Sequence, residues 1–259
     1  MNGIFDLSGK VIAITGGYGH LGSAITEGLL QYGGEVLVLG RSESKCKDKF
    51  KHLEKQPEFF QTDINDLSSV QKTTRSMAEK YGRLDVLVNN AFSLEGAAEP
   101  DAMSDEIFLS GLTGSLLSAY RLIRECLSLL KKSESAGIIN VGSMYGMVAP
   151  DFSIYESAPQ YLNPPHYGAA KAGLLQLTRY LASLLGKENI RVNSLSPGPF
   201  PSPEVSKNSS FVDALAKKTV LKRVGKPEDL QGAVIWLCSN ASSFVTGQNI
   251  VVDGGWTII

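Results

Sequence analysis

Tyr167 and Lys171 close the two ends of the run Tyr-Gly-Ala-Ala-Lys. Residues at that spacing on a helix lie one above the other on the same face. Leu174, Leu177, Leu181 and Leu184 continue the run at helical spacing, after the break Asn163-Pro164-Pro165. The spacing predicts a long helix that begins near Tyr167 and presents a phenol and an ammonium together. A free phenol ionises only near a pH of about 10. A cation within reach favours the phenolate and lowers that value. Such a pair can exchange a proton with a hydroxyl or a carbonyl oxygen. The plainer alternative is a surface tyrosine beside a lysine stem. Ser143 ends the apolar run that starts at Gly137. Facing the same crevice, its hydroxyl would hydrogen-bond a carbonyl oxygen.

The elements that must position these groups alternate along the chain. Lys10 to Thr15 is a short apolar run, as expected of a strand buried on both faces. The glycine-rich stretch Thr15 to Gly22 follows, then a helical pattern through Leu30. Strand, glycine turn and helix is the setting in which Gly16, Tyr18, Gly19, His20, Leu21 and Gly22 would cradle a dinucleotide phosphate. A tight turn without a ligand is the other reading. Glu35 to Gly40 is a second strand, with Gly40 where an acid would grip the ribose hydroxyls of NAD and Arg41 next to it. An arginine there accommodates a 2′-phosphate, so NADP is favoured; NAD stays open because Glu43 lies close by.

Phe59 to Asp63 reads as a third strand. Asp63 and Ile64 at its end would meet an adenine, or Asp63 would cap the helix expected from Leu67 to Tyr81 with Gly82 as its stop. Leu84 to Ala91 is a fourth strand whose end places Asn90 and Ala91 near the crevice; Asn89 there reads equally as a tie between strands. Pro100 to Leu130 reads as helix in two pieces, broken around Gly111 and Gly114. Met144 to Pro165 reads as loop, with Pro150, Pro159, Pro164 and Pro165 interrupting any helix. Asn189 to Pro197 is a sixth strand running into Gly198. Phe200 to Ser210 reads as a mobile loop, Pro227 begins a last helix and Gly247 to Asp253 is a seventh strand. This alternation predicts a single α/β domain over 1–259: a doubly wound, seven-stranded parallel sheet with helices on both faces.

Composition bounds the partners. An apolar fraction of 43% with a charged fraction of 20% suits a folded chain with a real core. A net charge of −1 without a basic run gives no footing for nucleic acid or an anionic membrane. No apolar stretch is long enough to span a bilayer, and Met1 to Lys10 lacks the regions of a signal peptide. Cys46, Cys126 and Cys238 are scattered, which argues for reduced thiols in the cytoplasm; with His20, His52 and His166 far apart, no metal motif emerges.

Taken together, Thr15 to Gly22, Asp63-Ile64, Asn89-Asn90-Ala91, Ser143, Tyr167 with Lys171, Arg191-Val-Asn193, Pro197-Gly198, Lys222 to Asp229 and Val252 to Gly255 resemble the short-chain dehydrogenase/reductase family. The resemblance covers nearly the whole chain. It implies a nicotinamide cofactor and an oxidoreductase of the EC 1.1.1.- type acting on a secondary alcohol or a ketone. Tyr167 would be the acid/base, Lys171 would lower its pKa and hold the nicotinamide ribose, and Ser143 would orient the substrate oxygen. Pro197 and Gly198 would flank the nicotinamide. A homotetramer or homodimer is implied as well.

Departures from the family pattern sharpen the expectation. His20 stands in place of the middle glycine of the loop and must turn its bulk away from the phosphates. Phe92 stands in place of the glycine after Asn-Asn-Ala, and Gly111 in place of the proton-relaying asparagine. The stretch from Ser143 to Tyr167 is longer than usual, with the extra residues between Pro150 and Pro165. That insertion would line the substrate mouth through Tyr155, Glu156 and Tyr161, or decorate the surface. Its wording also resembles members linked to flagellin glycosylation and nonulosonic-acid synthesis, which implies a carbohydrate-type substrate. The alternatives are a 3-oxoacyl carrier-protein reductase, disfavoured by the insertion and the lack of a basic docking patch, and a dinucleotide-sensing or scaffold protein whose catalysis has lapsed.

Overall fold

A computed structural model describes residues 3–94, 96 and 100–259. In chain order its elements are β1 (Val11–Thr15), α1 (His20–Gln31), β2 (Glu35–Gly40), α2 (Glu43–Phe50), β3 (Glu58–Gln61), α3 (Leu67–Tyr81), β4 (Val86–Asn89), α4 (Asp105–Leu112), α5 (Ser118–Leu130), β5 (Ala136–Val141), α6 (Pro165–Leu185), β6 (Ile190–Pro197), α7 (Ser209–Lys218), α8 (Gln231–Cys238) and β7 (Asn249–Val252). The strands form one sheet in the order β3-β2-β1-β4-β5-β6-β7. All six pairings are parallel. The order reverses between β1 and β4, so their carboxyl ends open a crevice.

Two cores flank the sheet because strand side chains alternate faces. Val11 and Ala13 of β1 join Leu122, Cys126 and Leu129 of α5 and Leu181 of α6 on one side. Ile12 and Ile14 join Ile25 and Leu29 of α1 and Val234 and Leu237 of α8 on the other. A third, smaller cluster sits apart: Tyr145, Ile154, Tyr155, Phe211, Leu215 and Trp256. No helix among the described residues is long and apolar enough to cross a membrane.

Three sequence expectations are corrected. The helix expected from Pro100 begins at Asp105, where Ser104 caps it by accepting from the Ile107 amide. It is not broken at Gly111 and Gly114 but runs into α5 through a π-helical turn, Thr113–Leu117. Packing supplies the reason: a Cβ at 111 would lie 1.9 Å from His166 Cδ2, and one at 114 would lie 2.2 Å from Ser93 Oγ. The glycines let neighbours come close rather than ending the helix. The stretch Phe200 to Ser210 holds a short turn, Val205–Lys207, and its last residues already belong to α7, which Asn208 caps by accepting from the Phe211 amide. The 144–165 segment is not plain loop either. It holds three short turns, Met144–Gly146, Phe152–Tyr155 and Pro159–Tyr161, and Tyr145 and Tyr155 are buried in the third cluster.

Candidate active site

The crevice at the carboxyl ends of the strands is a cavity of about 690 Å³. That falls within the roughly 300–1,000 Å³ of small-molecule sites. Its floor is the β1–α1 turn. Gly16 has φ +62°, and a Cβ on Gly22 would meet the Gly16 carbonyl oxygen at 2.2 Å, so only glycine allows the turn to close. Gly19 caps α1 without a side-chain bond, and the first turn holds no acid. The amides at the start of α1 are therefore free to bind an anion at the positive end of the helix dipole. Every residue expected to hold the dinucleotide borders this cavity, from Gly16, Tyr18 and Arg41 to Asn90, Lys171 and Gly198. His20 borders it too. Its Nε2 is buried without a partner among the described residues, and the cavity stays open beside it.

Asn90 also holds the floor in place. Its side-chain amide donates to Thr15 O at 2.9 Å, and the Asn90 and Ala91 amides donate to Thr15 Oγ1 at 3.0 and 2.9 Å. Asn89 resolves to the strand-tying role. Its side chain donates to Asn140 Oδ1 at 2.8 Å, and Asn140 donates to Thr178 Oγ1 of α6 at 2.9 Å. This buried chain of bonds pins α6, and so Tyr167 and Lys171, against β4 and β5. Asp63 does not cap α3; Asp66 does, accepting from Ser68 N, while Asp63 accepts from Asn65 N at 2.9 Å at the cavity edge.

The three groups singled out first come together at the far end of the cavity. Ser143 is buried just past β5, and its Oγ accepts from Tyr145 N at 3.1 Å, leaving its own hydrogen free to point onward. Lys171 is 3% exposed. Its Nζ donates to Val141 O at 2.8 Å and lies 5.1 Å from the Phe92 ring centre and 5.8 Å from the Tyr167 ring centre. Burial pulls its pKa down to about 8. The expected lowering of the Tyr167 phenol by Lys171 is not what the geometry gives. Burial pushes that phenol above its ordinary value, and the Ser143 hydroxyl offsets only part of the rise. Desolvation wins because the ammonium reaches a backbone carbonyl, not the phenol oxygen.

Residues that sequence reasoning undervalued complete the lining. Phe92 packs against Tyr167 with ring centres 5.6 Å apart and faces the Lys171 ammonium. Cation–π attraction there recovers part of the ammonium's lost hydration. Phe211 of α7 packs in tilted geometry against Tyr161, with ring centres 4.9 Å apart, and against Tyr155 at 5.6 Å. Its spacing with Leu215 was the visible helical signal, masked by the prolines upstream. Of the three insertion residues named, Tyr155 and Tyr161 border the cavity, but Glu156 is exposed and does not. Glu156 follows a one-turn helix that buries Tyr155, so its side chain is turned to solvent.

Proton linkage at Lys171 gives a pH prediction. Its folded pKa is lowered, so the ammonium persists below about 8 and is lost above it. Catalysis that needs this charge should hold level from neutral pH and decline as pH rises through about 8. A pH profile of kcat/KM checks this; a decline that begins only near the ordinary lysine range contradicts it.

Comparison with known proteins agrees with the fold. A family model described as "Enoyl-(Acyl carrier protein) reductase" matches residues 19–257. The chain is 31% identical to the rhamnolipids biosynthesis 3-oxoacyl-[acyl-carrier-protein] reductase of Pseudomonas aeruginosa, over 99% of each chain. It is 32% identical to the ribulose-forming D-arabinitol 2-dehydrogenase of Scheffersomyces stipitis, over 97% of this chain and 95% of that one. It superimposes on a gluconate 5-dehydrogenase from Burkholderia cenocepacia, solved with NADP and tartrate, with a TM-score of 0.87, 26% identity and 98% of each chain covered. Likeness of this extent, running from the glycine turn to the last strand, makes the chain a member of the short-chain dehydrogenase/reductase family.

Proposed function

We propose that this chain is a nicotinamide-dependent oxidoreductase that interconverts a secondary alcohol and a ketone, with NADP preferred over NAD. One observation carries the reading: a single cavity joins the glycine cradle and Arg41 to Ser143, Tyr167 and Lys171. When bound, the nicotinamide supplies or takes up the hydride at the carbon that bears the reacting oxygen. The chain's own groups do the rest. The Ser143 hydroxyl holds that oxygen. The Tyr167 phenol, kept protonated by burial, gives it a proton in the direction of ketone reduction. Lys171 keeps two of its three donors unclaimed by protein among the described residues, and these suit the ribose hydroxyls. The open cradle and a buried lysine with one protein acceptor both fit the cofactor.

The substrate end favours a small polyhydroxylated or other carbohydrate-type ketone. Tyr161, half-buried at the mouth, offers an aromatic ring for the C–H side of a sugar, and Asn163 and Ser202 offer polar groups there. The named arabinitol and gluconate relatives support this choice. A second reading, 3-oxoacyl carrier-protein reduction, has its own observation. Phe211 and Leu215 of α7 line the mouth, and Lys217, Lys218 and Lys222 lie exposed at and beyond the end of that helix, with Lys218 paired to Asp151. The named 3-oxoacyl-[acyl-carrier-protein] reductase relative supports this reading. Turnover of NADPH against keto-sugars, nucleotide keto-sugars and a 3-oxoacyl thioester separates the two. The carbohydrate reading expects turnover with keto-sugars, falling by about tenfold in Tyr161→Ala through a raised KM, with Glu156→Ala unchanged. Turnover with the thioester alone overturns it.

We further propose a homo-oligomer working in the cytoplasm. Leu109, Leu117, Tyr120, Tyr180 and Leu184 leave apolar surface exposed on the long helices, as do Phe244, Ile258 and Ile259 near the C-terminus. The three cysteines are free and buried, with thiols pushed up to about 11 or 12 by desolvation, which suits a reduced setting.

A further inference from the structure

We infer that Tyr18 is the residue that reads the adenosine 2′-position, donating its phenol hydrogen to a 2′-phosphate while its ring excludes the carboxylate that would grip a free diol. The inference rests on the nicotinamide reading above and adds a specificity residue to it. Gly40 occupies the strand end where a diol-binding acid belongs. It cannot be anything larger while Tyr18 stays in place. A Cβ at position 40 would lie 2.5 Å from Tyr18 Cε1 and 3.1 Å from both Cζ and Oη. The ring thus occupies the space that an Asp or Glu side chain would need.

The phenol oxygen is itself fixed. It accepts from Arg41 N at 3.1 Å and from Ser42 N at 3.2 Å, which locks the ring to the β2–α2 turn. Phe59 of β3 packs the ring from behind, with centres 6.4 Å apart. With both amides donating to the oxygen, the phenol hydrogen must find an acceptor elsewhere. Among the described residues none takes it, and Tyr18, Gly40 and Arg41 all border the cavity. The Arg41 guanidinium has no ion pair among the described residues either. A fixed O–H donor beside an uncommitted guanidinium suits a phosphate dianion. It suits a neutral diol less: the diol's oxygens could accept, but without charge assistance, and its own hydrogens would find no carboxylate there.

Equilibrium titration of NADPH and NADH, read by ligand fluorescence without substrate, tests this. Competition by adenosine 2′,5′-bisphosphate against adenosine 5′-monophosphate repeats it with half-ligands. Tyr18→Phe keeps the ring and removes the donor. It should weaken NADPH by roughly tenfold and NADH by less than about twofold. Loss of the turn's two hydrogen bonds alone would weaken both dinucleotides equally, and that result overturns the inference. Gly40→Asp alone should lose NADPH without gaining NADH, because the ring still bars the carboxylate. Tyr18→Ser with Gly40→Asp should then bind NADH about tenfold more tightly than Gly40→Asp alone, since one charge-assisted pair to the diol forms. A gain of binding cannot come from misfolding. Preference for NADH in Gly40→Asp alone overturns the inference. Failure of the parent chain to bind either dinucleotide overturns the nicotinamide reading itself, a result distinct from tight binding that ignores Tyr18.

Discussion

Tyr167→Phe should lower turnover by about 10²- to 10⁴-fold, the range of a lost general acid, while leaving the dissociation constant for NADPH within about twofold. The two halves of that expectation come from different atoms. The phenylalanine ring keeps the packing against Phe92 and the helix that carries Lys171. Only the hydroxyl goes, and with it the proton donor. Because burial holds the phenol above its ordinary value, it is protonated throughout the neutral range. The defect should therefore be of similar size from pH 6 to 8 in the reducing direction. Stopped-flow and equilibrium binding on the same preparation read both numbers. Parent-like turnover would remove Tyr167 from the chemistry. Lost cofactor binding would make its role structural.

The other large effect concerns stability. Restoring the family's usual asparagine, Gly111→Asn, should cost about 1–3 kcal/mol, the range of an overpacked core. For a chain of this size that is about 2–12 °C in thermal midpoint. The reason is local. His166 is fully buried, and its ring lies where a side chain at 111 would begin. Phe108 flanks the imidazole at 6.1 Å, and burial lowers its pKa, so it packs as a neutral ring. His166→Ala should cost stability on its own by opening a void, yet it should relieve Gly111→Asn, giving a coupling of about 0.5–3 kcal/mol in the double-mutant cycle. Additive losses would show that the two positions do not share space. A resemblance-based repair at 111 is thus expected to harm this chain, because 111 and 166 form one packed unit.

The same pair explains what was and was not legible in the sequence. Strands β1, β2, β5 and β6 were read with small boundary errors, because buried parallel strands are continuous apolar runs bounded by glycine, proline or polar residues. The Tyr167–Lys171 face was readable because helical periodicity fixes direction. Gly111 and Gly114 misled because a glycine signals a break only when nothing packs into its missing side chain; His166 and Ser93 do so here, from residues distant in sequence. The insertion misled in the same way. Proline spacing suggested loop, but the contacts of Tyr155 and Tyr161 with Phe211 of α7 are long-range and leave no local pattern. Glu156 was grouped with its neighbours by adjacency, and adjacency does not say which side of a one-turn helix faces a cavity. The balance at Tyr167 was also hidden. Spacing shows that a cation is near, but only burial and the carbonyl of Val141 show that desolvation outweighs it.

Transfer of deuterium from nicotinamide-labelled NADPH to a keto-sugar, followed by mass spectrometry of the alcohol formed, bears most directly on the catalytic assignment. Label on the new carbinol carbon, with the yield collapsing in Tyr167→Phe, is the result the cavity geometry leads to. Consumption of NADPH without label in any alcohol, or labelling that Tyr167→Phe leaves intact, would contradict it.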